Sequence, residues 1–152
     1  MSIENRLKDL GITLPEPPAP VASYVPFTIA DRIVFISGQI PLENGKVQFI
    51  GRIGDGMTVE DGQLAARLCA VNVLAQLKAA AGDLARVKRC LKLGVFVNAT
   101  PEFTRQPEVA NGASDLIAAV LGDAGKHARA AVGVASLPRG VAVEVDAVFE
   151  LS

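Results

Sequence analysis

One arginine and one glutamate near the end of the chain carry the chemistry that this sequence offers. Arg129 begins a β-patterned run in which every second residue is very small, namely Ala131, Gly133 and Ala135, and Glu144 lies on the next such run. A guanidinium binds a carboxylate through two parallel N–H bonds, and a carboxylate can orient or deprotonate a water molecule. These residue types therefore predict a site for a small carboxylate ligand beside an activated water.

The two runs must position these side chains, and their pattern predicts a terminal β-hairpin. The turn would be Leu137 to Gly140, which places Val134 opposite Val143 on the face covered by helices. Arg129 and Glu144 would then share the opposite face, ~13 Å apart along the strands. Because the residues between them are small, we expect a hollow there.

The same pattern has a second explanation. Small residues on an uncovered sheet face also suit the close approach of another subunit, and Arg129 could form an interface ion pair. Both explanations hold together if the ligand cleft is lined by two subunits.

The remaining elements follow from periodicity and capping signals. Val25 to Ala30 and Ile33 to Ser37 are typical of a hairpin, and Arg86 to Ala99 is typical of a long strand. Thr58 and the aspartate three residues later resemble a capping box that opens a helix ending at Gly82. Its predicted buried stripe is Leu64, Leu68, Val71, Leu74 and Leu77. A second helix starts near Pro107, with a buried stripe of Val109, Ala113, Leu116, Ile117 and Val120.

This order of elements predicts an α+β fold with a mostly antiparallel sheet and two helices packed on one face. Residues 1–21 are interpreted as an N-terminal extension with a proline-rich connector, LPEPPAP, and residues 22–152 as a single domain.

Composition disfavours several classes of function and partner. Lys and Arg total 15 against 16 Asp and Glu, which gives a net charge of −1 and no field to attract nucleic acid or an anionic membrane. One histidine and two distant cysteines make a metal cluster or a Ser-His-Asp triad hard to build, so no metal site is expected. The N-terminus has no signal-peptide pattern, which favours the cytoplasm. Hydrophobic residues make up 50% of the chain, and this surplus predicts self-association.

Two stretches resemble the reactive intermediate deaminases, the Rid or YjgF family, whose members are often labelled endoribonucleases or translation inhibitors. The stretches are FISGQIP (Phe35 to Pro41) and ARAAVGVASLPRGVAVEVDAV (Ala128 to Val148). The resemblance implies a chorismate-mutase-like fold and a homotrimer with clefts between subunits. It also implies cofactor-independent hydrolysis of enamines and imines, such as 2-aminoacrylate and 2-iminopropionate, to 2-keto acids and ammonia.

The same resemblance assigns roles to individual residues. Arg129 matches the family's carboxylate-binding arginine, and Glu144 matches the acid that positions the attacking water. The positions that match substrate-binding residues are Tyr24, Gly38, Asn111 and Ala131. Ala131 stands where many members have a cysteine, so only its backbone groups could serve. The surroundings of Tyr24 and the loop before Asn111 depart from the family pattern, as in a divergent branch.

Three functions stay open from the sequence: an imine-hydrolysing enzyme, a non-catalytic binder of small carboxylates, and a ribonuclease or translation inhibitor. An enzyme needs Glu144 facing its anionic ligand, whereas a binder does not. A ribonuclease would normally show a basic stripe with stacking aromatic residues. This chain has one tyrosine, six phenylalanines and no tryptophan, so the third function is the least favoured.

Overall fold

The structure is a computed structural model that describes residues 1–17 and 23–152. The helices in these ranges are α1 (Ile3–Asp9), α2 (Val59–Ala81) and α3 (Gln106–Leu121). The strands are β1 (Phe27–Ala30), β2 (Ile33–Gln39), β3 (Leu42–Glu43), β4 (Lys46–Val47), β5 (Arg52–Ile53), β6 (Gly56–Met57), β7 (Val87–Asn98), β8 (Ala128–Val134) and β9 (Val143–Leu151).

The main sheet has five strands in the order β1-β2-β9-β7-β8. Its pairs are antiparallel except for β7 and β8, which run parallel. The mostly antiparallel sheet of the predicted α+β fold is therefore confirmed, and so is the hairpin of β1 and β2.

Helices α2 and α3 cover one face of this sheet, as the sequence predicts. The capping box at the start of α2 is present, because Thr58 Oγ1 accepts from the Asp61 amide and the Asp61 carboxylate accepts from the Thr58 amide. All five residues of the predicted α3 stripe are buried. The predicted α2 stripe is partly wrong, since Leu64 is 55% exposed and the buried side is rich in alanine. Small residues occupy the buried side of α2 because the backbones of α2 and α3 approach closely. Gly112 of α3, for example, has no room for a Cβ beside the backbone of Gln63.

Helix α2 is also long and apolar enough, by length and composition, to cross a membrane. However, 56% of its most apolar stretch is buried against the sheet and α3 inside the fold. Its burial is that of a core helix of the fold.

The predicted terminal hairpin is wrong. Strand β8 pairs with β7 on the side away from β9, so that Val134 lies beside Asn98 and not opposite Val143. Strands β7 and β8 are joined through α3, and a helical crossover of this kind produces parallel neighbours.

The chain then crosses the end of β7 to reach β9, and residues 135–142 make that crossing. Asn98, the last residue of β7, holds the crossing segment in place, because its side-chain amide donates to Val141 O at 3.2 Å. The same amide donates to Gly51 O, also at 3.2 Å. Arg52 Nη2 donates to Ala135 O, at the start of the same segment, at 2.8 Å. The segment that resembles a tight turn is therefore a crossover held by side chains distant in sequence.

The N-terminal residues contain a helix that the sequence analysis did not predict. Leu7 of α1 is buried in the core, and Arg6 Nη1 donates to Val120 O at the end of α3. The boundary proposed between residues 21 and 22 lies outside the described residues.

Candidate active site

Arg129 is held against α3 by two hydrogen bonds from one nitrogen. Its Nη1 donates to Asn111 Oδ1 at 2.8 Å and to Ser114 Oγ at 3.1 Å. Asn111 and Ser114 are three residues apart on α3, a spacing that places both side chains on one face of a helix. The structure thus brings together two of the predicted site residues, Arg129 and Asn111.

The other edge of the Arg129 guanidinium is free for a ligand. Both hydrogens of Nη1 are used on α3, whereas Nε and Nη2 have no hydrogen-bond partner among the described residues. These two nitrogens form the planar edge that matches a carboxylate. Ala131, two residues further along β8, lies on the same face and packs against the core. Strand β8 lies at one edge of the sheet, so Arg129 and Ala131 are on an edge strand.

Glu144 lies in a different place, at a pocket of about 750 Å³. Tyr24 and Gly38, two further predicted site residues, line the same pocket. Gly38 has no room for a side chain, since a Cβ there would overlap with the Glu144 carboxylate. Burial, together with the negative charge of Asp146, raises the pKa of Glu144 above its usual value. A carboxylate with a raised pKa is a stronger base for water than an ordinary glutamate.

The predicted residues therefore fall into two groups, which we call the arginine group (Arg129, Asn111, Ala131) and the glutamate group (Glu144, Tyr24, Gly38). The expectation that Arg129 and Glu144 share a face of the sheet is wrong. Arg129 pairs with Leu93 of the buried, helix-covered face, whereas Glu144 pairs with Phe96 of the opposite face. Their backbones are ~14 Å apart in the plane of the sheet. One protomer does not bring the two groups into contact.

The face that carries Glu144, the outer face, is largely apolar and uncovered. Phe35 is 47% exposed and Val132 is 45% exposed. A shallow groove of about 360 Å³ on this face is lined in part by Phe35, Gly94, Ala130 and Asp146. A face of this kind is suited to contact with another protein surface.

Three polar residues at these sites were missed by the sequence analysis. Ser114 and His127 form a pair beside Arg129, with Ser114 Oγ 2.9 Å from His127 Nε2. Gln76 of α2 lines the glutamate pocket, is only 3% exposed, and its Oε1 has no partner among the described residues. The helical spacing of Asn111 and Ser114 could have indicated the serine, but only the tertiary structure places His127 and Gln76.

The two cysteines are free and buried, as predicted. Burial raises the pKa of the Cys69 thiol well above its usual value and that of Cys90 to about 12, which makes both thiols poor nucleophiles. Among the described residues, no group of three His, Cys, Asp or Glu side chains is arranged to hold a metal ion.

We expect Glu144→Gln to raise the thermal stability of the protein at neutral pH. The pKa of Glu144 is raised on folding, so the native state holds this proton more tightly than the unfolded state. The stabilisation is complete below the ordinary carboxyl pKa and is lost as the pH rises through the raised value. Thermal unfolding should therefore give a higher midpoint for the variant at pH 7 and little difference at about pH 3.5. The control is Glu43→Gln at an exposed strand position; a variant no more stable than wild type at pH 7 would contradict the prediction.

The fold and the two groups of side chains define a class of protein. A mostly antiparallel sheet covered on one face by two helices is the arrangement of a chorismate-mutase-like α+β domain. The chain belongs to the Rid/YjgF family: residues 4–149 match the family described as "YjgF/chorismate_mutase-like, putative endoribonuclease".

Individual relatives agree with this assignment. Protein TCP17 of Trypanosoma cruzi is 52% identical over 147 residues, which cover 96% of this chain and 92% of that protein. The crystal structure of Atu1372, a protein of unknown function from Agrobacterium tumefaciens, is similar with a TM-score of 0.92 and 54% identity, over 99% of this chain and 92% of that one. The structure of E. coli TdcF with bound serine is similar with a TM-score of 0.63 and 27% identity, over 90% and 94% of the two chains.

Proposed function

We propose that this protein hydrolyses small imines and enamines that bear a carboxylate, giving a 2-keto acid and ammonia without a cofactor. The observation that carries the proposal is the free Nε and Nη2 edge of Arg129, which is fixed by α3 and shaped for a carboxylate. TdcF, the relative solved with bound serine, holds an amino acid whose carboxylate is of the same kind.

In this mechanism Arg129 binds the substrate carboxylate, and Glu144 orients a water molecule toward the imine carbon. The water oxygen forms a bond to that carbon while Glu144 takes its proton, and the nitrogen receives a proton in turn. The hydroxyl of the resulting carbinolamine then gives up its proton, through Glu144, to the nitrogen, and the C–N bond breaks as the carbonyl of the keto acid forms and ammonia leaves. An enamine enters the same sequence after its terminal carbon takes a proton and the imine forms. The raised pKa of Glu144 suits a group that must both accept and return a proton.

The arginine and glutamate groups act on one substrate only if two protomers meet. We propose a homotrimer in which Arg129 of one subunit faces Glu144 of the next, with clefts between subunits. The uncovered outer face, with Phe35 and Val132 half exposed and with Gly94 and Ala130 lining its groove, favours such an assembly. Tyr24 and Gly38 would line the glutamate side of each cleft.

We expect Phe35→Glu to dissociate this trimer, because an unpaired carboxylate in an apolar interface is costly to desolvate. Light scattering should give about 47 kDa for the wild type, three times 15.8 kDa, and a monomer for the variant. The matched control is Leu64→Glu, since Leu64 is also about half exposed but lies on α2 away from the outer face. A wild-type monomer at micromolar concentration would remove the shared cleft.

Substitution of Arg129 by lysine should weaken the binding of 2-keto acids while the trimer stays intact. An ammonium cannot offer two coplanar N–H donors, so we expect a loss of roughly 10- to 100-fold in affinity. Calorimetric titration with pyruvate measures this loss. Equal affinity of the two proteins would assign Arg129 a structural role only.

The activity itself is tested by a coupled assay in which an amino-acid oxidase generates the imine in place. We expect wild-type protein to accelerate the release of the keto acid over the spontaneous reaction. If the protein binds keto acids but accelerates no small amino-acid imine, it is a non-catalytic binder. The ribonuclease function named in the family description is not favoured, because the net charge is −1 and Glu144 and Asp146 lie along the outer face. The reaction would take place in the cytoplasm.

A further inference from the structure

A single hydroxyl connects the arginine of the proposed site to the only histidine of the chain. Ser114 Oγ lies 3.1 Å from Arg129 Nη1 and 2.9 Å from His127 Nε2. His127 Nδ1 lies 2.6 Å from the backbone oxygen of Gly125. All of these side chains are partly buried, so these contacts are shielded from water.

The directions of these hydrogen bonds follow from the chemistry of the partners. A backbone oxygen only accepts, so the Gly125 contact places the proton of the ring on Nδ1 of His127. In the neutral ring Nε2 is then an acceptor, and the Ser114 hydroxyl donates to it. The lone pairs of Ser114 are thereby turned toward Arg129, whose Nη1 donates to them.

Resting on the proposed function, we propose that Ser114 and His127 are positioning residues that set the plane of the Arg129 guanidinium for the substrate carboxylate. One hydrogen bond, from Nη1 to Asn111, leaves the guanidinium free to rotate about that contact. The second bond, to Ser114, fixes the plane and therefore the direction of the free Nε and Nη2 edge. His127 contributes by holding the hydroxyl in the orientation that accepts from arginine. Orienting the edge in advance reduces the entropy lost when the ligand binds.

A hydroxyl beside a neutral imidazole nitrogen is also the arrangement of a nucleophilic serine. Here Ser114 lies in the middle of α3, and its oxygen accepts a hydrogen bond from Arg129. Its lone pairs are directed to the guanidinium, which favours positioning over attack.

The test measures pyruvate affinity by calorimetry in variants that separate the two contacts of His127. Ser114→Ala removes the hydroxyl, and we expect about tenfold weaker binding. His127→Asn keeps a donor for Gly125 O but does not reach Ser114, and should weaken binding similarly. Ser114→Thr keeps the hydroxyl, and His127→Gln places an amide oxygen near the position of Nε2, so both should bind closer to wild type. Ser136→Ala, an exposed serine on the crossing segment, is the matched control.

In turnover of the imine, Ser114→Ala should raise KM and leave kcat nearly unchanged, with the trimer mass unchanged. If Ser114 only supported the packing of α3, restoring its hydroxyl in Ser114→Thr would not restore the affinity for pyruvate. Equal pyruvate affinity in Ser114→Ala and wild type, with Arg129→Lys weakened, would overturn the positioning role alone. Labelling of Ser114 by a fluorophosphonate would also overturn it in favour of a nucleophile.

A second measurement is independent of any ligand. Since the chain has one histidine, nitrogen-15 NMR shows one pair of ring signals, and we expect a protonated Nδ1 and an unprotonated Nε2. The Nε–H signal of Arg129, identified by its absence in Arg129→Lys, should be sharp in wild type and broadened in Ser114→Ala. If wild type does not bind pyruvate, the proposed function fails, and this spectrum still decides whether Ser114 fixes the arginine. The opposite tautomer, or an unchanged Arg129 signal in Ser114→Ala, would overturn the inference.

Discussion

Hybrid trimers of Arg129→Lys and Glu144→Gln protomers are expected to hydrolyse imines, although trimers of either variant alone are nearly inactive. The reason is that the arginine group and the glutamate group lie on opposite faces of the sheet in one protomer. In the proposed homotrimer, each cleft between subunits takes Arg129 from one protomer and Glu144 from the next. An intact pair therefore arises wherever an arginine-bearing protomer is followed by a glutamate-bearing one.

The size of the recovery follows from the symmetry of a ring. A cyclic trimer that contains both variants has three clefts, and only one of them combines an intact Arg129 with an intact Glu144. This holds whether the trimer contains two protomers of the first variant or two of the second. Hybrids purified through a different affinity tag on each variant should thus show roughly a third of wild-type activity.

The control is each variant co-expressed with itself under the same two tags, which should stay at the background rate. Intact sites do not arise in any hybrid if Arg129 and Glu144 of the same protomer act together. Background activity in verified hybrid trimers would therefore reject the cleft between subunits, while leaving the activity of the wild type unaffected.

The second large effect concerns Glu144→Gln in the homotrimer. Glutamine keeps the shape of the side chain and a hydrogen-bond acceptor but cannot take a proton from water. Loss of a positioned general base lowers a rate by ~10²- to 10⁴-fold. The affinity for a keto acid should stay unchanged or increase slightly, because a negative charge near the anion has been removed.

Turnover is measured in the oxidase-coupled assay and affinity by calorimetry with pyruvate. Glu150→Gln is the matched control, since Glu150 lies on the same face of β9 at the far end of the strand and pairs with Lys88. Normal turnover in Glu144→Gln would mean that another group activates the water. A fall in affinity as large as the fall in rate would instead point to a role of Glu144 in binding.

Much of the local structure could be predicted from the sequence, because it depends on residues close together in the chain. The Thr58 and Asp61 capping box, the α3 stripe and the alternation along β9 are all present. Each of these patterns is produced by the period of one element and does not require knowledge of its neighbours. The family resemblance likewise followed from two short stretches of sequence.

The candidate site could be predicted only in part. Alternation correctly placed Arg129, Ala131 and Gly133 on one face of β8, and Glu144 and Asp146 on one face of β9. Alternation could not show whether these residues of β8 and β9 lie on the same face of the sheet. That depends on whether the two strands are neighbours or are separated by another strand. The crossover through α3 was the available signal, since a helix between two strands favours their parallel pairing.

The sequence by itself determined α2, α3 and the long strands, the α+β class and the residue types of the site, but not α1 or the short strands β3 to β6. Only the tertiary structure decided that β7 separates β8 from β9, so that Arg129 faces α3 while Glu144 faces the outer side. The physical reason is that the backbone N–H and C=O groups of β8 could form hydrogen bonds equally well with β7 or with β9. The choice between them rests on long-range contacts, namely the packing of α3 and the hydrogen bonds of Asn98 and Arg52 to the crossing segment. The pairing of Ser114 with His127 depends on the same packing.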